Sequence, residues 1–290
     1  MNSAATAQVD TEIWDMEIQP KTGLFDLNLK EVWKYRDLMW LFVRRDFVAS
    51  FKQTILGPLW HLIQPIMTTI MFLIVFGRIA NIPTDGIPSA IFYMSGLTLW
   101  NYFSACLSGT SNTFLANSGI FGKVYFPRLV IPISTVLSNL VKLAIQFLLF
   151  FAIWIYYHFN GFTITLSWTW MLVPVLVIMM ALMGLGIGII ISSLTTKYRD
   201  FSILIGFGIQ ILMYLTPIAY PLSFIDNPKY KAIIQANPLT PIIESLRFAL
   251  FHTGELDVRG LMYSGIVIIV SLFFGLIVFN KVQKTFMDTV

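Results

Sequence analysis

Cysteine and charge are both scarce in this chain. Its 290 residues include one cysteine, Cys106, and only 12% are Asp, Glu, Lys or Arg. A single thiol excludes a disulfide framework and any multi-cysteine metal site. His61, His158 and His252 stand far apart, with no ligand partner at metal spacing. No G-x-x-x-x-G-K-[ST] loop occurs. Gly119-Ile-Phe-Gly122-Lys123-Val124 has the wrong spacing and no hydroxyl after the lysine, so no ATP hydrolysis is expected of this chain. No cofactor is expected either. Within the apolar runs Asp and Glu fall only near the ends, as at Asp200, which leaves a membrane-embedded transferase without the acid–base cluster it needs. The first ~25 residues lack the basic and apolar regions of a signal peptide, so insertion is expected to use the first span itself.

Apolar residues, by contrast, make up 57% of the chain, and the mean hydropathy is +0.75. At this length a water-soluble domain cannot hide so much apolar surface. The expected class is an all-α membrane protein with six transmembrane helices. At about 20 residues per crossing, the spans are read at 58–79, 89–115, 129–157, 168–194, 201–220 and 261–280. Residues 1–27 show no periodicity and read as a tail. Residues 28–57 alternate Leu29, Val32, Trp33, Tyr35, Leu38, Leu41 and Phe42 with Lys30, Lys34, Arg36, Arg44 and Arg45, the pattern of an amphipathic helix lying at the headgroups. The six-span domain then covers 58–290. Within it, 221–255 is proline-rich yet carries two short apolar stretches, Ile233–Ile234 and Ile242–Leu250. They read as two short re-entrant helices too brief to cross, the second opening at Thr240-Pro241 with Glu244 three residues before Arg247.

Charge distribution orients the chain. Seven basic residues precede the first apolar run: Lys21, Lys30, Lys34, Arg36, Arg44, Arg45 and Lys52. With Lys123, Arg128, Lys197, Arg199, Lys281 and Lys284, 13 of the 19 Lys and Arg fall on one side. The positive-inside rule therefore places both termini in the cytoplasm and argues against a nucleic-acid groove, despite a net charge of +4.

Polar stripes mark the apolar helices. His61, Gln64 and Thr68 share one helical face, as do Asn101, Ser104, Ser108 and Ser111, and as do Ser134, Ser138, Lys142 and Gln146. A lysine at mid-membrane costs about 2.5–3.5 kcal/mol on insertion scales, so these faces must meet one another or a hydrated cavity. Lys142 reads equally as interhelical glue or as a cavity residue. Tyr93, Trp100, Tyr214 and Tyr220 lie on polar-faced helices, where aromatic rings could stack on sugars lining a channel. Trp154–Tyr157 and Trp168–Trp170 read as an interfacial belt. Gly184, Gly186 and Gly188 sit mid-span and indicate close helix packing. The link 117–128 is long and aromatic for a connector, and reads as a partner-docking helix.

Several strings resemble, in order, the permease subunits of type-2 ABC exporters for polysaccharides, a family that includes O-antigen, capsule and teichoic-acid permeases. They are RRDFVASFKQTILGPLWHLIQPIMT at 44–68, IFGKVYFPRLVIP at 120–132, SSLTTKYRDF at 192–201, LTPIAYP at 215–221 and NPLTPIIESLRFAL at 237–250. The resemblance implies a homodimeric channel in a bacterial inner membrane, driven by two copies of a separate ATPase that carries the ATP and Mg. It implies that 28–51 is an interface helix and 221–255 a pair of periplasmic gate helices. Residues 117–128 become a coupling helix, with Ser118, Phe121, Lys123, Tyr125 and Arg128 as contacts. The implied substrate is a glycan on a lipid pyrophosphate, which Arg44, Arg45 and Lys52 would attract. His61, Gln64, Thr68, Tyr93, Trp100, Asn101, Ser104, Tyr214 and Tyr220 are the expected channel lining. O-antigen is the leading glycan, and other readings stay open: the same architecture exporting teichoic acid, capsule or a small hydrophobic drug or lipid, and a membrane-embedded transferase.

Overall fold

The computed structural model describes residues 29–52, 54–162, 167–198 and 200–289. The expected tail and Arg199 lie outside them. The described residues form helices joined by turns, with no strand among them.

A short α1 (Leu29–Lys34) and α2 (Arg36–Phe51) open the chain. Next come α3 (Trp60–Phe72), which widens into a π-helix over Leu73–Ile79, then α4 (Ser89–Ser111) and α5 (Thr113–Phe121). The long helices α6 (Val130–Phe159) and α7 (Leu172–Lys197) precede α8 (Phe201–Leu215). Two short helices, α9 (Pro228–Gln235) and α10 (Thr240–Phe251), lead to the terminal α11 (Val258–Thr289).

The centre of the bundle is α7, held between α4 and α11, with α6 packed on the far side of α4. Three glycines of α7 make this possible. Gly184 and Gly188 admit α4, whose Cys106 and Thr110 lie against them, and Gly186 admits α11 at Ser271. α4 is thereby enclosed, and every residue from Ile91 to Trp100 is buried. A helix surrounded by protein has no need of an apolar exterior. Accordingly α4 carries Ser95, Thr98, Asn101 and Ser104 despite its 23 residues.

Four helical segments among the described residues are long and apolar enough to cross a membrane: Trp60–Ile79, Val130–Phe159, Trp168–Lys197 and Val258–Gln283. Neither of the other two expected spans meets both conditions. α4 has the length without the hydropathy, and α8 is apolar but stops at 15 residues. It stops because Pro217 cannot continue a helix. Thr216 turns its hydroxyl back onto the Leu212 carbonyl at 2.7 Å, and the chain leaves in an extended conformation.

The two ends of the bundle differ in character. At one end α1, α2, α5, the 122–129 turn and the end of α11 share a cluster of Val32, Met39, Phe42, Phe114, Phe121, Phe126, Leu129 and Phe279. At the other, α10 is wedged among α4, α7 and α11. Ile242, Ile243, Leu246 and Arg247 of α10 are buried, whereas α9 buries nothing. The two short helices are therefore unequal: α10 is core, and α9 lies on the surface. Their starts are held in different ways. Asn227 caps α9 by accepting from the Lys229 N–H at 3.0 Å. At α10, Thr240 instead donates to the Ile234 carbonyl at 2.6 Å, and Asn237 accepts from the Leu239 N–H at 3.0 Å.

Candidate functional site

Two arrangements of functional interest emerge, one at each end of the bundle. The first is the segment after α5. The helix kinks at Asn117, whose φ of −120° is not helical, and ends at Phe121. Residues 122–128 follow as a turn, so 117–128 is helical only in its first part. Of the five side chains expected to meet a partner, three are engaged within the chain. Phe121 is buried against Phe114 and Phe126. Ser118 donates to the Leu115 carbonyl. Arg128 donates to the Gln283 carbonyl on α11, and its guanidinium lies over the Phe121 ring. Lys123 and Tyr125 are exposed, as is Val124 between them. Sequence reading missed Val124, because an isolated valine in an aromatic link carries no signal of its own. The result is an exposed tip, Lys123-Val124-Tyr125, on a base of packed phenylalanines.

The second arrangement surrounds Arg247 on α10. Its side chain is only 2% exposed. Glu244 meets one guanidinium nitrogen at 2.8 Å, as the i, i+3 spacing suggested. The other nitrogen donates to the Ile218 carbonyl at 3.0 Å, and the guanidinium stacks 3.8 Å from the centre of the Phe92 ring. Arg247 thus binds α10 to α4 and to the extended chain that follows α8. Beside it opens a cavity of about 730 Å³ lined by Asp85, Ser223, Lys231, Gln235, Glu244 and Arg259. Ser223 donates to the Asp85 carboxylate at 2.9 Å, tying the α3–α4 loop to the segment before α9.

The expected channel-lining residues separate into three groups. Tyr93 and Trp100 are buried in the protomer's own core, with Tyr93 against Phe72 and Phe92, so they do not line a surface of this chain. Over Ile91–Trp100 α4 is buried on every side, which makes these two aromatics packing residues. His61, Thr68, Asn101, Ser104 and Tyr220 are partly buried, and the Tyr220 hydroxyl donates to the Tyr214 carbonyl at 2.9 Å. Gln64 and Tyr214 are exposed. They belong to α3 and α8, which also expose Met67, Met71 and Ile74, and Ile203, Phe207 and Ile211.

The three basic residues expected at the headgroups, Arg44, Arg45 and Lys52, are all exposed. Arg45 is held by Asp46 at 2.8 Å and lies over the Phe42 ring. The interface helix turns Val32, Met39 and Phe42 toward the protein and leaves Trp33, Trp40 and Leu41 exposed.

A described structure that is helical throughout, with four segments long and apolar enough to cross a bilayer, is that of a multi-pass membrane protein. The chain belongs to the ABC-2 type transporter family, whose family model matches residues 37–251. It is 31% identical over 256 residues to the O-antigen export system permease protein RfbA of Klebsiella pneumoniae, covering 87% of this chain and 94% of that one. The RfbA permease of Myxococcus xanthus is 26% identical, over 90% of this chain and 98% of its own. The polysialic acid transport protein KpsM of Escherichia coli is 25% identical, over 84% and 93%.

Proposed function

We propose that two copies of this chain form the channel of an ATP-driven exporter that moves a lipid-linked polysaccharide, with O-antigen the leading substrate, to the periplasmic face of a bacterial inner membrane. Two copies of a separate ATPase subunit supply the energy, and nothing in this chain performs chemistry. The observation that carries the reading is the tip: Lys123-Val124-Tyr125 stands exposed, while the residues around it are fixed in the cluster that also holds α2 and α11. A push on such a tip is passed to the bundle rather than absorbed locally.

In this reading the chain crosses six times, with both termini on the tip side. The bare faces of α3 and α8 meet their copies across a two-fold axis, and the path between them is lined by Gln64, Thr68 and Tyr214. On the periplasmic side α9 acts as the movable part of the gate and α10 as its fixed support. A polysaccharide substrate is supported by relatives named for O-antigen export and polysialic acid transport.

Purified alone, the full chain should hydrolyse no ATP. Placed in vesicles with the ATPase of its own transport system, it should carry a lipid-linked glycan across the bilayer in an ATP-dependent manner. Hydrolysis without glycan movement, or movement of a hydrophobic drug instead, would overturn the substrate assignment.

The tip yields a separate expectation. Val124→Asp combined with Tyr125→Ala should change stability by no more than about 0.5 kcal/mol, because both positions are exposed. The same variant should no longer capture the ATPase in a pull-down. Phe126→Ala should do the reverse in thermal melting, costing about 3–5 kcal/mol as a buried aromatic truncation.

A further inference from the structure

Lys142 is the least explained charge in the bundle. It lies twelve residues past Val130, roughly 18 Å along α6 at helical rise, and therefore well inside that span. Among the described residues the ion pairs within 4 Å are Arg45–Asp46 and Arg247–Glu244, so Lys142 belongs to neither. The acid on the same cavity wall as Lys142 is Asp46 of α2, whose carboxylate is already held by Arg45 at 2.8 Å. The two share a cavity of about 360 Å³ where α2, α4 and α6 meet, lined by Asp46, Ser50, Ser108, Ser138, Asn139 and Lys142. His61 on α3 lies within electrostatic reach of the ammonium. A mid-span cation facing a small hydroxyl-rich space, whose one lining carboxylate is engaged with an arginine, has the composition of an anion site.

We propose that this cavity receives the pyrophosphate of the lipid-linked substrate, with Lys142 as its counter-charge. The inference rests on the lipid-pyrophosphate reading above and adds a location to it. The α2 wall supports the assignment. Arg44 and Lys52, in the stretch that also carries Asp46 and Ser50, are both exposed and add positive potential on this side of the bundle. Asp46 then acts as a gatekeeper. Pairing with Arg45 offsets part of its charge, and what remains competes with an anion for Lys142. Ser108 and Ser138 supply hydroxyl donors from α4 and α6. The lipid tail would leave through the side of the bundle into the bilayer, while the glycan stays in water.

The test uses the full-length chain in phosphatidylcholine nanodiscs and farnesyl pyrophosphate as the probe, with binding read by native mass spectrometry. Lys142→Gln should weaken binding at least tenfold, and Lys142→Arg should stay within threefold of the unaltered chain. Asp46→Asn, which removes the competing negative charge, should tighten binding about threefold; that variant keeps Lys142 and so tests the site independently of whether Lys142→Gln folds. Unchanged affinity in Lys142→Gln, with an unaltered thermal melt, would overturn the site alone. Equal competition by phosphatidylglycerol or by inorganic pyrophosphate would overturn the assignment to a lipid pyrophosphate. Failure of the unaltered chain to bind the probe would overturn both the site and the reading beneath it.

Discussion

Replacing Glu244 by Ala should destabilise the protein by about 3–5 kcal/mol, the range for removing one member of a buried ion pair. The reason lies in what is left behind. Arg247 is only 2% exposed, against 21% for Glu244, so loss of the acid strands a guanidinium with no route to water. Two of its nitrogens still reach backbone carbonyls at Ile218 and Tyr220, but carbonyl dipoles do not cancel a full charge. Arg247→Met should cost less, about 1–3 kcal/mol, since it leaves neutral carbonyls unpaired and a carboxylate that borders the 730 Å³ cavity. Combining the two should cost less than their sum, because the double variant buries no unpaired charge. Chemical unfolding of the four proteins in detergent measures all three quantities. A larger loss from Arg247→Met than from Glu244→Ala would mean that the clamp on the extended chain, rather than the charge balance, dominates.

The same clamp explains why the two short helices are unequal. α10 cannot swing without withdrawing Arg247 from Phe92 and Ile218, and its apolar face is already spent on α4, α7 and α11. α9 makes no such commitment. Any opening on that side of the protein is therefore cheapest if α9 and the Asp85–Ser223 contact move while α10 stays.

Much of this was legible in the sequence. Helices of membrane length at α3, α6, α7 and α11 follow from apolar runs and their punctuation, and the two short helices follow from their prolines. The Glu244–Arg247 pair follows from i, i+3 spacing alone. What the sequence hid is which face of an apolar helix meets protein. Where a helix is apolar all round, periodicity cannot tell lipid from a neighbouring helix, and both interiors accept the same side chains. Tyr93 and Trp100 were thus open to a lining role until α4 proved to be enclosed. That Phe121 and Arg128 are engaged within the chain was hidden for a related reason. In a short link, nothing local distinguishes a residue aimed at a partner from one that braces the link against α2 and α11. Lys142 was different. Its cost in lipid marked it from the start, but the cavity needed α2 folded against α6 before Asp46 could be seen beside it.

The glycines of α7 and α8 make the sharpest contrast in the protein, and Gly186→Val should be among its most damaging substitutions. A Cβ at Gly186 would stand 2.6 Å from Ser271 Oγ and 3.0 Å from the Leu272 amide nitrogen, and the reciprocal glycine, Gly275, lies 3.0 Å from the Gly186 carbonyl by the same measure. Gly188 is no freer, with Thr110 Cβ at 2.6 Å. The obstacle in each case includes backbone or a β-branched carbon, which cannot rotate away. α11 or α4 would have to move off α7, at a cost of about 3 kcal/mol or more, the upper end for overpacking a tight interface. Gly206 and Gly208 of α8 have nothing within 4 Å, so Gly208→Ala should be neutral or stabilise by up to about 1 kcal/mol through helix propensity. Gly208→Leu separates the protomer from the assembly. It should leave the melting behaviour of a single chain unchanged, yet lower the dimer fraction in cross-linking if α8 faces its copy, as proposed. A dimer fraction equal to that of the unaltered chain would remove α8 from the interface and leave α3 as its remaining bare face.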